Sequence, residues 1–163
     1  MSALCVFLLS LVLFLMQTSL LPFLFDGITQ PDIWLTTVAL ATLVYDKKIA
    51  LLLALIGGLV QDIVISNFFG LRLLPYLAIA MIFLELGKER YNRHWYISLL
   101  AVWIASAFYV LASSFIMWLA GSHYPPVAYF LHLGIPFILM NGVAALFLHP
   151  ILWGMKREGE PKW

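Results

Sequence analysis

The chain has 163 residues, of which 64% are hydrophobic and only 10% charged, and its formal net charge is +1. Soluble domains carry about 25% charged residues, and a fold of this size has too little interior to hide so much apolar side chain from water, so a water-soluble protein is excluded and the charge pattern shows no nucleic-acid footprint. The single cysteine, Cys5, excludes an internal disulfide.

The apolar residues come in long runs separated by short polar clusters, as in a chain that crosses a bilayer repeatedly. The first run, 3–24, has no basic segment ahead of it and is longer than the apolar region of a signal peptide. Leu4, rather than a small residue, precedes Cys5, which argues against a lipoprotein site. The run is expected to be a retained first helix ending at the polar patch 25–30.

A second helix is expected over 31–45, opening at Pro31 because the first helical turn needs no backbone N–H there. The third covers 49–66 and stops at Asn67-Phe68-Phe69-Gly70, where glycine permits a left-handed turn. The fourth covers 71–87, ahead of the charged loop 88–94. The fifth spans 95–120, and Gly121 to Pro126 turns the chain into the sixth, 127–153. A bilayer core of ~30 Å asks for about 20 helical residues. The second to fourth helices, with 15–18 residues, are short for this and are expected to be held inside the bundle.

Charge placement supports a single domain of six spans with both ends cytoplasmic. In that frame Lys47, Lys48, Lys88, Arg90, Arg93, Lys156, Arg157 and Lys162, eight of the nine basic residues, share one side, and only Arg72 lies on the other. Trp34, Tyr45, Trp95, Tyr96, Tyr124, Tyr129 and Trp153 fall near span ends, as interface-seeking rings do. Trp103 and Trp118 lie deeper, as packing residues or lipid contacts.

No catalytic motif is visible: there is no P-loop, HExxH, GxSxG or CxxC, and His94, His123, His132 and His149 are scattered. No enzyme activity, cofactor or metal is expected. Intramembrane polar residues are the functional candidates, because a charge in hydrocarbon is costly unless paired. Asp62, beside Gln61, is the clearest, and Arg72 across the 67–70 turn is its expected counter-ion. The pair reads either as a binding or proton site or as a clamp on the hairpin of the third and fourth helices. Glu85 is expected to reach the interface or pair with Lys88. Ala50, Ala54 and Gly58, with Gly57 alongside, form a small-residue stripe that lets another helix approach; the neighbour is either within the chain or in a partner. Pro136 is expected to kink the sixth helix by freeing the His132 carbonyl. Asn141 could satisfy exposed backbone or bond across helices.

Pro31-Asp32 at the second helix, Gly57-Gly58-Leu59-Val60-Gln61-Asp62-Ile63, and then Gly70, Leu73 and Tyr76 form a pattern that resembles the rod shape-determining protein MreD family. Length, six spans and a short basic tail resemble it over the whole chain. The resemblance implies a non-enzymatic, multi-pass protein of the bacterial cytoplasmic (inner) membrane within the cell-elongation machinery. The implied partners are MreC, a single-span protein with a large extracytoplasmic domain, and, directly or indirectly, the MreB filament, RodA and its transpeptidase partner. It also implies a six-helix bundle similar to the substrate-binding S-components of energy-coupling-factor transporters. The candidate structural or partner-binding residues are Pro31, Asp32, Ala54, Gly58, Asp62, Gly70, Arg72 and Tyr76. The alternative is a vitamin-transporter S-component itself. Those subunits dock through an alanine-xxx-alanine face on the first helix, which here has Ala3 and no such repeat.

Overall fold

The apolar runs become helices for a simple reason: in hydrocarbon every backbone N–H and C=O must find its partner within the protein, and a helix does this locally. In the computed structural model, which describes residues 3–25, 29–66, 69–86, 94–121 and 126–158, the described residues form six helical rods. Helix α1 runs through Ala3–Leu15, a π turn at Met16–Leu20, and Leu21–Phe25. Helices α2 (Ile33–Val44), α3 (Lys47–Val64), α4 (Leu73–Leu86) and α5 (Trp95–Leu119) follow. Helix α6 runs through Pro126–Tyr129, a π turn at Phe130–Gly134, and Ile135–Glu158. Asp26, Asn67, the basic loop 88–93, His123, Tyr124 and Lys162 lie outside the described residues, as does the expected Glu85–Lys88 contact.

The architecture is an all-α membrane bundle. Three rods, at Leu8–Phe25, Trp95–Leu119 and Val127–Lys156, are long and apolar enough to cross a membrane by themselves. Helix α2 is the opposite case. Its 12 residues rise about 18 Å, yet eleven of them are buried, because α2 packs against every other helix of the bundle. Such a helix needs small side chains and no unpaired polar group. Ala39 and Ala41 supply the first. Thr36, Thr37 and Thr42 return their hydroxyls to the carbonyls of Asp32 (2.9 Å), Ile33 (2.8 Å) and Ala39 (2.7 Å), so none is left open.

Helix α3 buries one stripe: Ala50, Leu53, Ala54, Gly57, Gly58, Gln61 and Asp62. The small residues on it are occupied from within the chain. A Cβ on Gly58 would stand 2.5 Å from the Leu73 Cα, and one on Gly57 would collide with the Trp34 indole. The stripe of Ala54 and Gly58 therefore faces the protein's own helices and is closed to a partner. Trp34 is likewise a core residue rather than an interface ring: its Nε1–H donates to the Leu53 carbonyl at 3.1 Å. Tyr45 is also buried, donating its hydroxyl to the Leu152 carbonyl at 2.9 Å. Trp95, Tyr96 and Tyr129 are exposed, and Lys156 lies 5.0 Å over the ring of Trp153.

The two π turns share a cause. Each stands just ahead of a proline, Pro22 or Pro136, which has no N–H and whose ring crowds the carbonyl four residues back. The chain shifts register instead: Leu21 N–H bonds to Met16 O and Ile135 N–H to Phe130 O, one residue further than in an α-helix. The expected kink at Pro136 thus takes the form of a π turn.

Candidate functional site

Helix α2 begins inside the bundle, so its first N–H groups, which no helix can satisfy internally, need side-chain acceptors. Asp32 is the N-cap, with Oδ1 accepting from the Leu35 N–H at 3.0 Å. Pro31 therefore stands one residue before the cap, not in the first turn, because the aspartate takes the capping position. The Asp32 N–H donates to Asn141 Oδ1 of α6 at 2.7 Å, and Asn141 Nδ2 donates to Ser106 Oγ of α5 at 2.9 Å. The Ile33 N–H donates to Gln17 Oε1 of α1 at 2.9 Å, and Gln17 Nε2 reaches back to the Pro31 carbonyl at 3.4 Å.

Helix α4 starts in the same manner. Asp62, at the end of α3, accepts from the backbone N–H groups of Gly70 (2.8 Å), Arg72 (2.9 Å) and Leu73 (3.1 Å). Gly70 makes this possible by turning the chain at φ 95°, a region L side chains avoid. Asp62 is thus a cap for the hairpin, acting on main chain. Its expected pairing with the Arg72 side chain is corrected: the guanidinium goes instead to Asp32, with Nη1 3.1 Å from Oδ2. The reason is supply of donors. Three N–H groups already fill both oxygens of Asp62, whereas Asp32 Oδ2 has no backbone donor.

The Tyr76 hydroxyl donates to the same Asp32 Oδ2 at 2.5 Å. Gln61 Oε1 of α3 receives both Arg72 Nη1 (2.5 Å) and the Tyr76 hydroxyl (3.2 Å). One polar network thereby touches all six helices: Gln17, Asp32, Gln61, Arg72 with Tyr76 leading into α4, Ser106 and Asn141. Beyond it the rings of Tyr76, Tyr109 and Phe137 pack in sequence at 5.8 and 5.6 Å.

Of the residues singled out from sequence, Asp32, Asp62, Gly70, Arg72 and Tyr76 meet at this node, Pro31 lends it a carbonyl, and Ala54 and Gly58 hold α3 close to its neighbours. Gln17 and Ser106 belong to it and carried no motif; for Gln17 the available signal was an amide inside an apolar run. The node's carboxylates are saturated with donors, so its chemistry is that of a clamp. Among the described residues no three His, Cys, Asp or Glu side chains come together to hold a metal ion. A further polar contact between long helices, Ser98 Oγ to His149 Nδ1 at 2.8 Å, lies apart from the node.

A family model for the rod shape-determining protein MreD matches residues 1–158. The chain belongs to the MreD family. Membership assigns it a part in determining rod shape, as a membrane protein. No curated protein and no solved structure matches it.

Proposed function

We propose that this MreD-family chain is a non-enzymatic scaffold of the bacterial cytoplasmic membrane that binds MreC and links MreB filaments to the peptidoglycan-synthesising RodA and its transpeptidase partner. The observation that carries the reading is the family match over 1–158. The node supports it, because a hydrogen-bonded network that ties six helices together suits a rigid platform better than a catalyst. The platform has six spans with both ends in the cytoplasm, a topology that rests on the eight-to-one split of the basic residues. Pro31, Asp32, Asp62, Gly70, Arg72 and Tyr76 hold the platform's outer end, and no cofactor takes part.

Two experiments test this reading. The tagged chain co-expressed with full-length MreC and extracted in mild detergent should retain MreC; failure to retain it while the protein is folded would overturn the MreC link. Reporter fusions after Lys48 and Trp163 should read cytoplasmic, and a fusion at Gly70 external. An external reading at Trp163 would defeat the six-span topology.

A further inference from the structure

The seam between α5 and α6 ends in a cluster that the node does not use. Ser98 meets His149 at 2.8 Å and Ser106 meets Asn141 at 2.9 Å, so the two helices run antiparallel in a fixed register. Between these contacts the Trp103 indole fills the notch left by Gly142, where a Cβ would strike it. From Ser98 back to Trp95 is about 4.5 Å along α5, and from His149 on to Trp153 about 6 Å along α6. Trp95 and Trp153 therefore end on one level. Tyr96 meets Trp95 edge-on at 6.2 Å and stacks on His94 at 5.2 Å, while His149 stands 6.2 Å from Trp153. Trp95 is 58% exposed and Tyr96 54%, and exposed rings at a span end sit at the level of the lipid headgroups.

Charge selects the ligand. Lys156 holds its Nζ 5.0 Å over the Trp153 ring. The ring carries no net charge, so this contact positions the ammonium without neutralising it. A lysine donates hydrogen bonds and accepts none, and the acceptor in supply at headgroup depth is a lipid phosphate. A zwitterionic lipid brings a cation of its own to that phosphate, whereas an anionic lipid does not, and the ammonium favours the second. Toward the bilayer centre α5 exposes Leu100 and Ile104, and α6 exposes Leu146 and Phe147, an apolar seat for acyl chains.

We propose that this end of the α5–α6 seam binds an anionic phospholipid, its headgroup phosphate on Lys156 beside the rings of Trp153, Trp95 and Tyr96. In the topology proposed above the leaflet is the cytoplasmic one. The site stands whether or not the chain binds MreC.

The test uses the full-length chain purified in mild detergent and offered phosphatidylglycerol and phosphatidylcholine in equal amounts, with retained lipid measured by mass spectrometry. Wild type should retain phosphatidylglycerol in preference; equal retention of both would overturn the site. Lys156→Gln should lower phosphatidylglycerol retention about fivefold, as one basic residue near the surface implies, and Lys156→Arg should restore it. Unchanged retention in Lys156→Gln would overturn the site. Tyr96→Ala, which removes an exposed ring, should lower retention in the same direction, and it becomes the deciding variant if Lys156→Gln does not accumulate. Arg93→Gln, which removes one cation from the 88–94 loop, should leave retention as in wild type. A loss there equal to that in Lys156→Gln would mean diffuse surface charge and defeat the proposal. Displacement of the lipid by inorganic phosphate would defeat it too, by making the ligand a free anion.

Discussion

The two halves of this bundle solve the backbone problem in different ways. Helices α1, α5 and α6 are long and expose apolar side chains along most of their length, and α1 and α6 accommodate Pro22 and Pro136 with π turns. Helices α2 and α4 are too short to cross the hydrocarbon alone, so their N-termini are closed by side chains: Asp32, Gln17 and Asn141 for one, Asp62 for the other. The long helices draw stability from hydrogen bonds that any apolar sequence would form. The short ones depend on a few named polar residues, each supplying what the main chain lacks. Tolerance to substitution should therefore divide sharply between the two regions.

The largest effect is expected at Asp32. Replacing it with alanine removes the cap, the Tyr76 acceptor and the partner of Arg72 together, and breaking a buried ion pair costs roughly 3–5 kcal/mol. Asp32→Ala should lower the folded fraction in detergent unfolding by about that amount, with Asp32→Asn losing less because it can still accept from Leu35 N–H. Gly58→Leu comes next. Its new side chain would press on the Leu73 backbone, and overpacking costs about 1–3 kcal/mol. Its membrane level should fall equally with and without MreC, whereas loss confined to cells containing MreC would mean the stripe faces outward after all. Gln17→Ala and Asn141→Ala each orphan one buried N–H. The expected loss is about 1 kcal/mol each, nearer the low end for hydrogen bonds in membranes. At the small end, Leu139→Ala on the exposed side of α6 should stay within ±0.5 kcal/mol of wild type. A loss at Leu139 as large as at Gln17 would erase the contrast between the two halves.

The helices were legible because each apolar run ends in residues that stop a helix, and Gly70 announced its turn in the same way. The node was legible only in its members. Asp62 and Arg72 stand out in an apolar chain, but adjacency across a turn suggested that they pair with each other. The real partner of Arg72 is forty residues away, and only the packing of α2 between α4 and the outer helices brings it within reach. Trp34 shows the same limit: a tryptophan near a span end looks like an interface ring until α2 proves to be enclosed at eleven of its twelve residues. Gln17 had no motif, since its role is set by where the unsatisfied N–H of Ile33 falls in space. Short-range chemistry is written in the sequence, whereas the choice among distant partners is made by the bundle.

The claim that α2 is held by a clamp across the helices is tested most directly by a double-mutant cycle on Asp32 and Arg72, using Asp32→Asn, Arg72→Met and the double variant. Unfolding free energies would be measured in one detergent mixture. Coupled partners should give an interaction energy of about 1–3 kcal/mol, with the double variant less destabilised than the sum of the singles. Strict additivity would show that the 3.1 Å contact carries no energy, and the clamp would have to be abandoned.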